Sequence, residues 1–189
     1  ARAPADGYTI FFGTVANAIS TTLYTKLNYD YLKDFTPIIA AAYNNRCIVV
    51  HPSLPVQNLN ELIAYAKKNP GKLSYGVAAS GSAQELAGDL LKFTTGIDMV
   101  PVPYKGGAPA MNDLLGGQVD LLCDQTTQTV PIIKENRVKA YGVTTLTRLS
   151  SLGQLPTLDE QGLKGFEVKV WHGMYAPKGT PKPALDKIN

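Results

Sequence analysis

The sequence predicts an α/β chain with a mostly parallel sheet, on three observations. Strand-like and helix-like segments alternate at short spacing along the chain. Loops of small residues follow strand-like runs directly, and in open α/β sheets ligands gather at the carboxyl ends of the strands. The stretch 103–124 compresses this grammar: a strand end at Pro103–Tyr104, a glycine turn at Gly106–Gly107, a short helix, a second glycine turn at Gly116–Gly117 and a buried strand ending at Asp124.

In chain order, Tyr8–Gly13 is an apolar β-rich run ended by glycine, and Thr14–Ser20 is a loop entering a helix. Asp34–Pro37 opens a second strand through Ile38, Ile39 and Ala40. Cys47–Val50 is a third, closed by His51–Pro55. Asn60–Lys68 is an amphipathic helix with Leu59, Leu62, Ile63 and Ala66 on one face, stopped by Asn69–Pro70–Gly71. Leu73–Val77 is a strand, Ala78–Ser82 a small-residue loop, Ala83–Thr94 a helix ended by Gly96, and Met99–Tyr104 a strand. A helix at about Ala108–Leu115 and a strand at Val119–Asp124 complete the central stretch. A helix near Val130–Glu135, a strand at Ala140–Thr144, a helical piece around Leu158–Gln161 and a long strand at Val168–Ala176 follow. Ala1–Gly7 reads as a helix end running into a turn, and Thr180–Asn189 begins a helix; both ends of the sequence are expected to be cuts in a longer chain.

Composition narrows the function. The chain has 189 residues, 44% hydrophobic and 17% charged, which is the balance of a globular protein large enough for one large domain or two small lobes. A net charge of +3, with Lys67–Lys68 as the longest basic run, does not suggest nucleic acid. No apolar run approaches the roughly 20 residues of a membrane span, and the N-terminus does not read as a signal peptide. Cys47 and Cys123 lie in apolar strand-like runs, either as buried free thiols or as a disulfide of an oxidising compartment. Neither has metal-ligand spacing, and no His, Cys, Asp or Glu cluster suggests a metal. Ser80–Gly81–Ser82 is not a Gly-x-Ser-x-Gly nucleophile turn, and neither a Walker A pattern nor a Gly-x-Gly-x-x-Gly fingerprint follows a strand. No catalytic residue and no cofactor are expected.

The glycine turn carries the chemistry. Gly106 and Gly107 let the backbone approach a ligand closely. The helix that begins there aims unpaired N–H groups and its positive dipole end into the same space, and Lys105 adds a cation, which suits a carboxylate or another small anion. Each candidate has an ordinary structural reading as well. Lys105 can be solvated, Ser82 can serve as a helix cap, Asp124 can be a structural acceptor, and Trp171, His51 and His172 can be packing residues. Arg46 is a candidate counter-charge for a dicarboxylate.

Taken together, Ala3–Thr9, His51–Pro55, Asn69–Gly76, Val102–Gly107, Leu114–Asp120 and Ala176–Pro181 closely resemble the Bug family of extracytoplasmic solute receptors, the TctC-like substrate-binding proteins of tripartite tricarboxylate transporters. The resemblance runs through the whole chain, in order. It implies a type 2 periplasmic binding protein fold: two α/β lobes, a two-strand hinge and a ligand in the cleft. Lobe one would be 1–46 plus 171–189, incomplete, and lobe two 47–170. It implies ligand contacts from Thr14 and Asn17 in the loop after the first strand; from Ser80, Gly81 and Ser82; from Tyr104, Lys105, Gly106 and Gly107; and from Asp124, facing a ligand amine or hydroxyl. Asp124, Thr126, Thr127 and Asn17 would decide ligand preference. The implied protein is a monomeric periplasmic receptor that takes a small carboxylate (a dicarboxylate, tricarboxylate, acidic amino acid or aromatic acid) to integral membrane transporter subunits. A sensing protein of the same fold is the alternative. A regulator's effector domain, which shares the fold, normally follows a helix-turn-helix that is not found in this sequence. Cys123, the polar run Gln125–Gln128 and Arg46 depart from the family's usual pattern.

Overall fold

The computed structural model describes residues 1–189. Its elements are β1 (Phe11–Thr14), α1 (Val15–Leu23), β2 (Phe35–Asn44), β3 (Arg46–Val50), α2 (Leu59–Lys68), β4 (Leu73–Val77), α3 (Ala83–Thr95), β5 (Met99–Pro103), α4 (Gly107–Leu115), β6 (Leu121–Gln125), α5 (Thr126–Lys134), β7 (Lys139–Val143), β8 (Val170–Pro177) and α6 (Lys182–Ile188), with a 3₁₀ turn at Ser150–Leu152. They form two compact units, Ala1–Tyr43 with Val170–Asn189, and Asn44–Lys169. A lobe boundary after Arg46 would cut β3. Arg46 pairs with Gln125 in the larger unit's sheet and belongs there.

The smaller unit is a three-stranded sheet in the order β1-β8-β2, with β1 antiparallel to β8. Aromatic packing holds it: Phe11 lies 5.0 Å from Phe35, and Tyr31 5.4 Å from Tyr175, between ring centroids. Gly13 is required there, because a Cβ would lie 2.7 Å from the Tyr31 hydroxyl. The first strand is shorter than Tyr8–Gly13, since the ladder pairs only Phe11–Thr14 with His172–Tyr175 and residues before Phe11 have no strand partner. Ala1–Gly7 contains no helix end; these residues are bends and irregular backbone.

The larger unit has a five-stranded sheet in the order β5-β4-β6-β3-β7. β4 is parallel to both β5 and β6, whereas β3 is antiparallel to both β6 and β7. The sheet is therefore mixed rather than mostly parallel: four strands run one way, and the single reversed strand lies inside the sheet, where it converts two ladders. Cys47–Val50 reads as one apolar run because β3 is covered on both faces. Ile48 and Val50 join Leu62, Tyr75 and Leu91 on the side of α2 and α3. Cys47 and Val49 join Met111, Leu114 and Leu122 on the side of α4.

Three further elements differ from expectation. α5 starts at Thr126, not near Val130: the Thr126 N–H donates to the Asn45 carbonyl at 3.0 Å, and Pro131 is carried inside the helix. β6 starts at Leu121; Asp120 just before it is tied to β4 and β3 by its backbone, donating to the Ser74 carbonyl and accepting from the His51 N–H, and its carboxylate accepts from the Ser74 N–H and hydroxyl. Leu158–Gln161 is a turn: Glu160 and Thr157 bond reciprocally, and Gly162 takes a positive φ of 102°.

Cys47 and Cys123 are both buried and free. They sit on adjacent strands, but Ile48, not Cys47, is opposite Cys123, so the two thiols lie on opposite faces of the sheet. The native sheet cannot form a disulfide between them. Burial pushes both thiols up to about 12. We expect a thiol reagent at neutral pH to label neither cysteine in the native protein and both in urea; rapid native labelling would contradict this packing. Gly88 gives a second test. A Cβ there would lie 2.2 Å from Cε2 of the fully buried Tyr75. Gly88→Ala should destabilise the protein by about 1–3 kcal/mol in urea denaturation.

Candidate functional site

The carboxyl ends of β4, β5 and β6 share one edge of the larger sheet, and each leads to a helix: α3 and α4 after short loops, α5 directly. Three helix N-termini therefore open on that edge, each carrying about half a positive charge. The reversed β3 contributes its amino end, Arg46, to the same edge.

The caps differ. Ser82 caps α3 by accepting from the Glu85 N–H, and Gly81, at φ 75°, donates its N–H to the Glu85 carboxylate. The Gly81 amide is thus engaged within the chain, whereas Ser80 is exposed. α4 has no side-chain cap. Gly106, at φ 122°, donates to the Ala78 carbonyl at 3.2 Å and so ties this turn to the loop before α3. With Pro109 lacking a donor, the Gly107 and Ala108 N–H groups are the unpaired donors of the first turn. Lys105 is exposed beside them. The Tyr104 hydroxyl donates to Asp113 at 2.8 Å, and burial together with that bond pushes its pKa up to about 12. The Tyr104 ring also lies against Gly76, which anchors the turn to the sheet.

Behind the α4 turn is a buried polar cluster. Asp124, 1% exposed, accepts at Oδ1 from Gln84 Nε2 at 3.1 Å. Its Oδ2 is buried without a partner. Arg46, 3% exposed, donates from Nη1 to the Cys123 carbonyl at 3.1 Å and stands 3.8 Å from Asp124 Oδ1, while its Nε is buried without a partner. A Cβ on Gly107 would lie 3.5 Å from Gln128 Oε1, 3.6 Å from Gln84 Nε2 and 3.7 Å from Asp124 Oδ1, so cluster and turn are adjacent. Burial raises the Asp124 carboxyl above its ordinary 3.8; the Gln125 N–H, Arg46 and Gln84 pull it back.

The structure thus brings Gly106, Gly107 and Asp124 together in the larger unit, with Ser80–Ser82 and Tyr104–Lys105 on the loops beside them. Thr14 and Asn17 are in the smaller unit, where they form a reciprocal cap on α1: Asn17 Oδ1 accepts from the Thr14 N–H at 2.8 Å and Thr14 Oγ1 from the Ala16 N–H at 3.2 Å. Sequence reasoning missed Gln84 and Gln128. No local signal marks Gln84, which stands beside Glu85 on the first turn of α3 and reads as one more polar residue of a helix start.

The family described as "Tripartite tricarboxylate transporter family receptor" matches residues 1–189. The chain belongs to this family. It is similar to a UPF0065 protein from the TAR-I ttuE-ttuC' intergenic region of Agrobacterium vitis, with 41% identity over 189 residues, 100% of this chain and 55% of that protein. Among solved structures it is similar to the periplasmic binding protein BugD, with a TM-score of 0.91 at 47% identity over 99% of this chain and 62% of that one. It is also similar to Rpa4515 of R. palustris with adipate, with a TM-score of 0.89 at 38% identity over 99% of this chain and 63% of that one. The chain spans little more than half the length of the curated relative. Its fold is that of the periplasmic binding proteins; the matching family is described as one of receptors and BugD as a periplasmic binding protein. No helix is long and apolar enough to cross a membrane.

The raised Asp124 carboxyl gives a pH prediction. Between 3.8 and its native value, the folded state holds a proton that the unfolded state has released, so this group's contribution to stability falls as pH rises through that window. Asp124→Asn has no such proton. Its stability relative to the parent should therefore rise as pH goes from about 4 to 7, in paired urea titrations. A pH-independent difference would count against the burial described.

Proposed function

We propose that this protein is a periplasmic solute receptor that takes a small carboxylate for uptake by the membrane subunits of a tripartite tricarboxylate transporter. One observation carries the reading: three helix N-termini, one with two uncapped donors at Gly107 and Ala108, converge on a single sheet edge that also holds a buried arginine. Such an edge attracts an anion without any reactive group being needed. In this reading the Gly106–Gly107 turn and Lys105 hold the carboxylate. Ser80–Ser82 and Tyr104 shape the surrounding loops, and Asp124 meets a donor on the ligand. Thr14 and Asn17, at the start of α1, are proposed as ligand contacts of the smaller unit. The structure of Rpa4515 with adipate supports a carboxylate as the ligand class.

The test is a thermal-shift screen of the protein against mono-, di- and aromatic carboxylates, each beside its amide. Ligand at 100 times Kd adds about 2.7 kcal/mol to native stability, a rise of roughly 5–10 °C for a chain of this size. A rise with an acid and none with its amide is the expected result. No rise with any acid would overturn the reading.

A further inference from the structure

Buried polar atoms without partners are rare in native proteins, because each carries most of its desolvation cost. The cluster behind the α4 turn has two, and they are complementary: Asp124 Oδ2 accepts and Arg46 Nε donates. They do not satisfy each other, since the nearest approach of the pair is from Nη1 to Oδ1 at 3.8 Å. Oδ1 is already occupied by Gln84. Oδ2 is therefore the spare acceptor of this carboxylate, whose other oxygen, Oδ1, lies within ordinary contact of the Gly107 position.

We infer that Arg46 is a positioning residue for ligand selection: it fixes Asp124 as an acceptor-only carboxylate beside the uncapped turn of α4, so that the site prefers carboxylates bearing a hydroxyl or amine near the acid group over the same acids without one. The inference rests on the receptor reading above. An ionised Asp124 facing a bare, fully ionised diacid puts two acceptors against each other, and a ligand O–H or N–H removes that conflict by donating to Oδ2. Arg46 supplies the nearby positive charge, while its bond to the Cys123 carbonyl fixes the end of β6 from which Asp124 projects. Without the guanidinium, a buried carboxyl takes up a proton and becomes a donor. It can then serve the bare acid as well as the substituted one. Arg46 thus acts through Asp124, and its removal changes which ligand is preferred as well as how tightly ligands bind.

The test is a set of calorimetric titrations with acids that differ by one group: malate, succinate and 2-methylsuccinate, then 2-hydroxyglutarate and glutarate, then lactate and propionate. In the parent protein, the hydroxy acid of at least one set should bind about tenfold or more tighter than its bare partner, the value of one hydrogen bond to a buried charge. The methyl analogue should side with the bare acid. Arg46→Gln should bring the ratio to within about threefold, and Arg46→Lys should restore part of it. If Arg46→Gln does not fold, Arg46→Lys, which keeps the positive charge but loses the Nε donor and the planar fork, gives the readout instead: a ratio equal to the parent's would overturn the inference. A ratio unchanged by Arg46→Gln would show a merely structural arginine and overturn the inference. So would equal binding of substituted and bare acids by the parent, which leaves the receptor reading standing. Failure of every acid to bind, here and in the thermal screen, overturns both.

Discussion

The larger unit depends on the direction of one strand. β3 runs against β4, β5, β6 and β7 and lies between β6 and β7, so both of its edges are paired and both of its faces are covered. Four consecutive apolar residues fill those faces, two to a side, and a fully buried apolar side chain contributes about 1.5–3 kcal/mol. Because the strand is reversed, its first residue, not its last, reaches the edge where the helices begin. Had β3 followed its neighbours, Arg46 would sit at the opposite end of the sheet.

That placement gives the edge its electrostatic character. Helix starts supply diffuse positive potential through backbone groups, and the arginine adds a localised charge in a dry setting, where charges act more strongly than in water. The buried carboxylate beside it cancels part of this. A balance of that kind favours selectivity over raw attraction, since a site with only positive groups accepts any anion that fits. Tyr104, Asp113 and the bond from Gly106 to Ala78 hold the turn against the sheet, so its free donors are held in fixed positions.

Much of this was legible in the sequence. Cys47–Val50, Leu73–Val77 and the helix after Ser82 announce themselves through apolar runs and caps, and the Gly106–Gly107 turn through residues that tolerate positive φ. Strand direction was not legible, because an apolar run covered on two faces looks the same in a parallel and an antiparallel ladder. The start of α5 was hidden by Pro131, which reads as a first-turn residue and sits instead in the interior. The cluster of Arg46, Gln84 and Asp124 joins side chains far apart in the chain, and no local pattern encodes that meeting. Arg46 was legible as a candidate counter-charge and as a departure from the family's usual pattern, and its partner became visible with the β3–β6 register.

The two cysteines bear on how the protein is made. Once the sheet has formed, its own thickness separates Cys47 from Cys123, and neither thiol is exposed to oxidants. Before that, nothing keeps them apart. A disulfide closed in the unfolded chain would have to pass through the plane of the sheet, so the cross-linked species has no route to the native register. Folding and oxidation are thus in competition, and a protein refolded under reducing conditions should reach its native form in higher yield than one refolded in air.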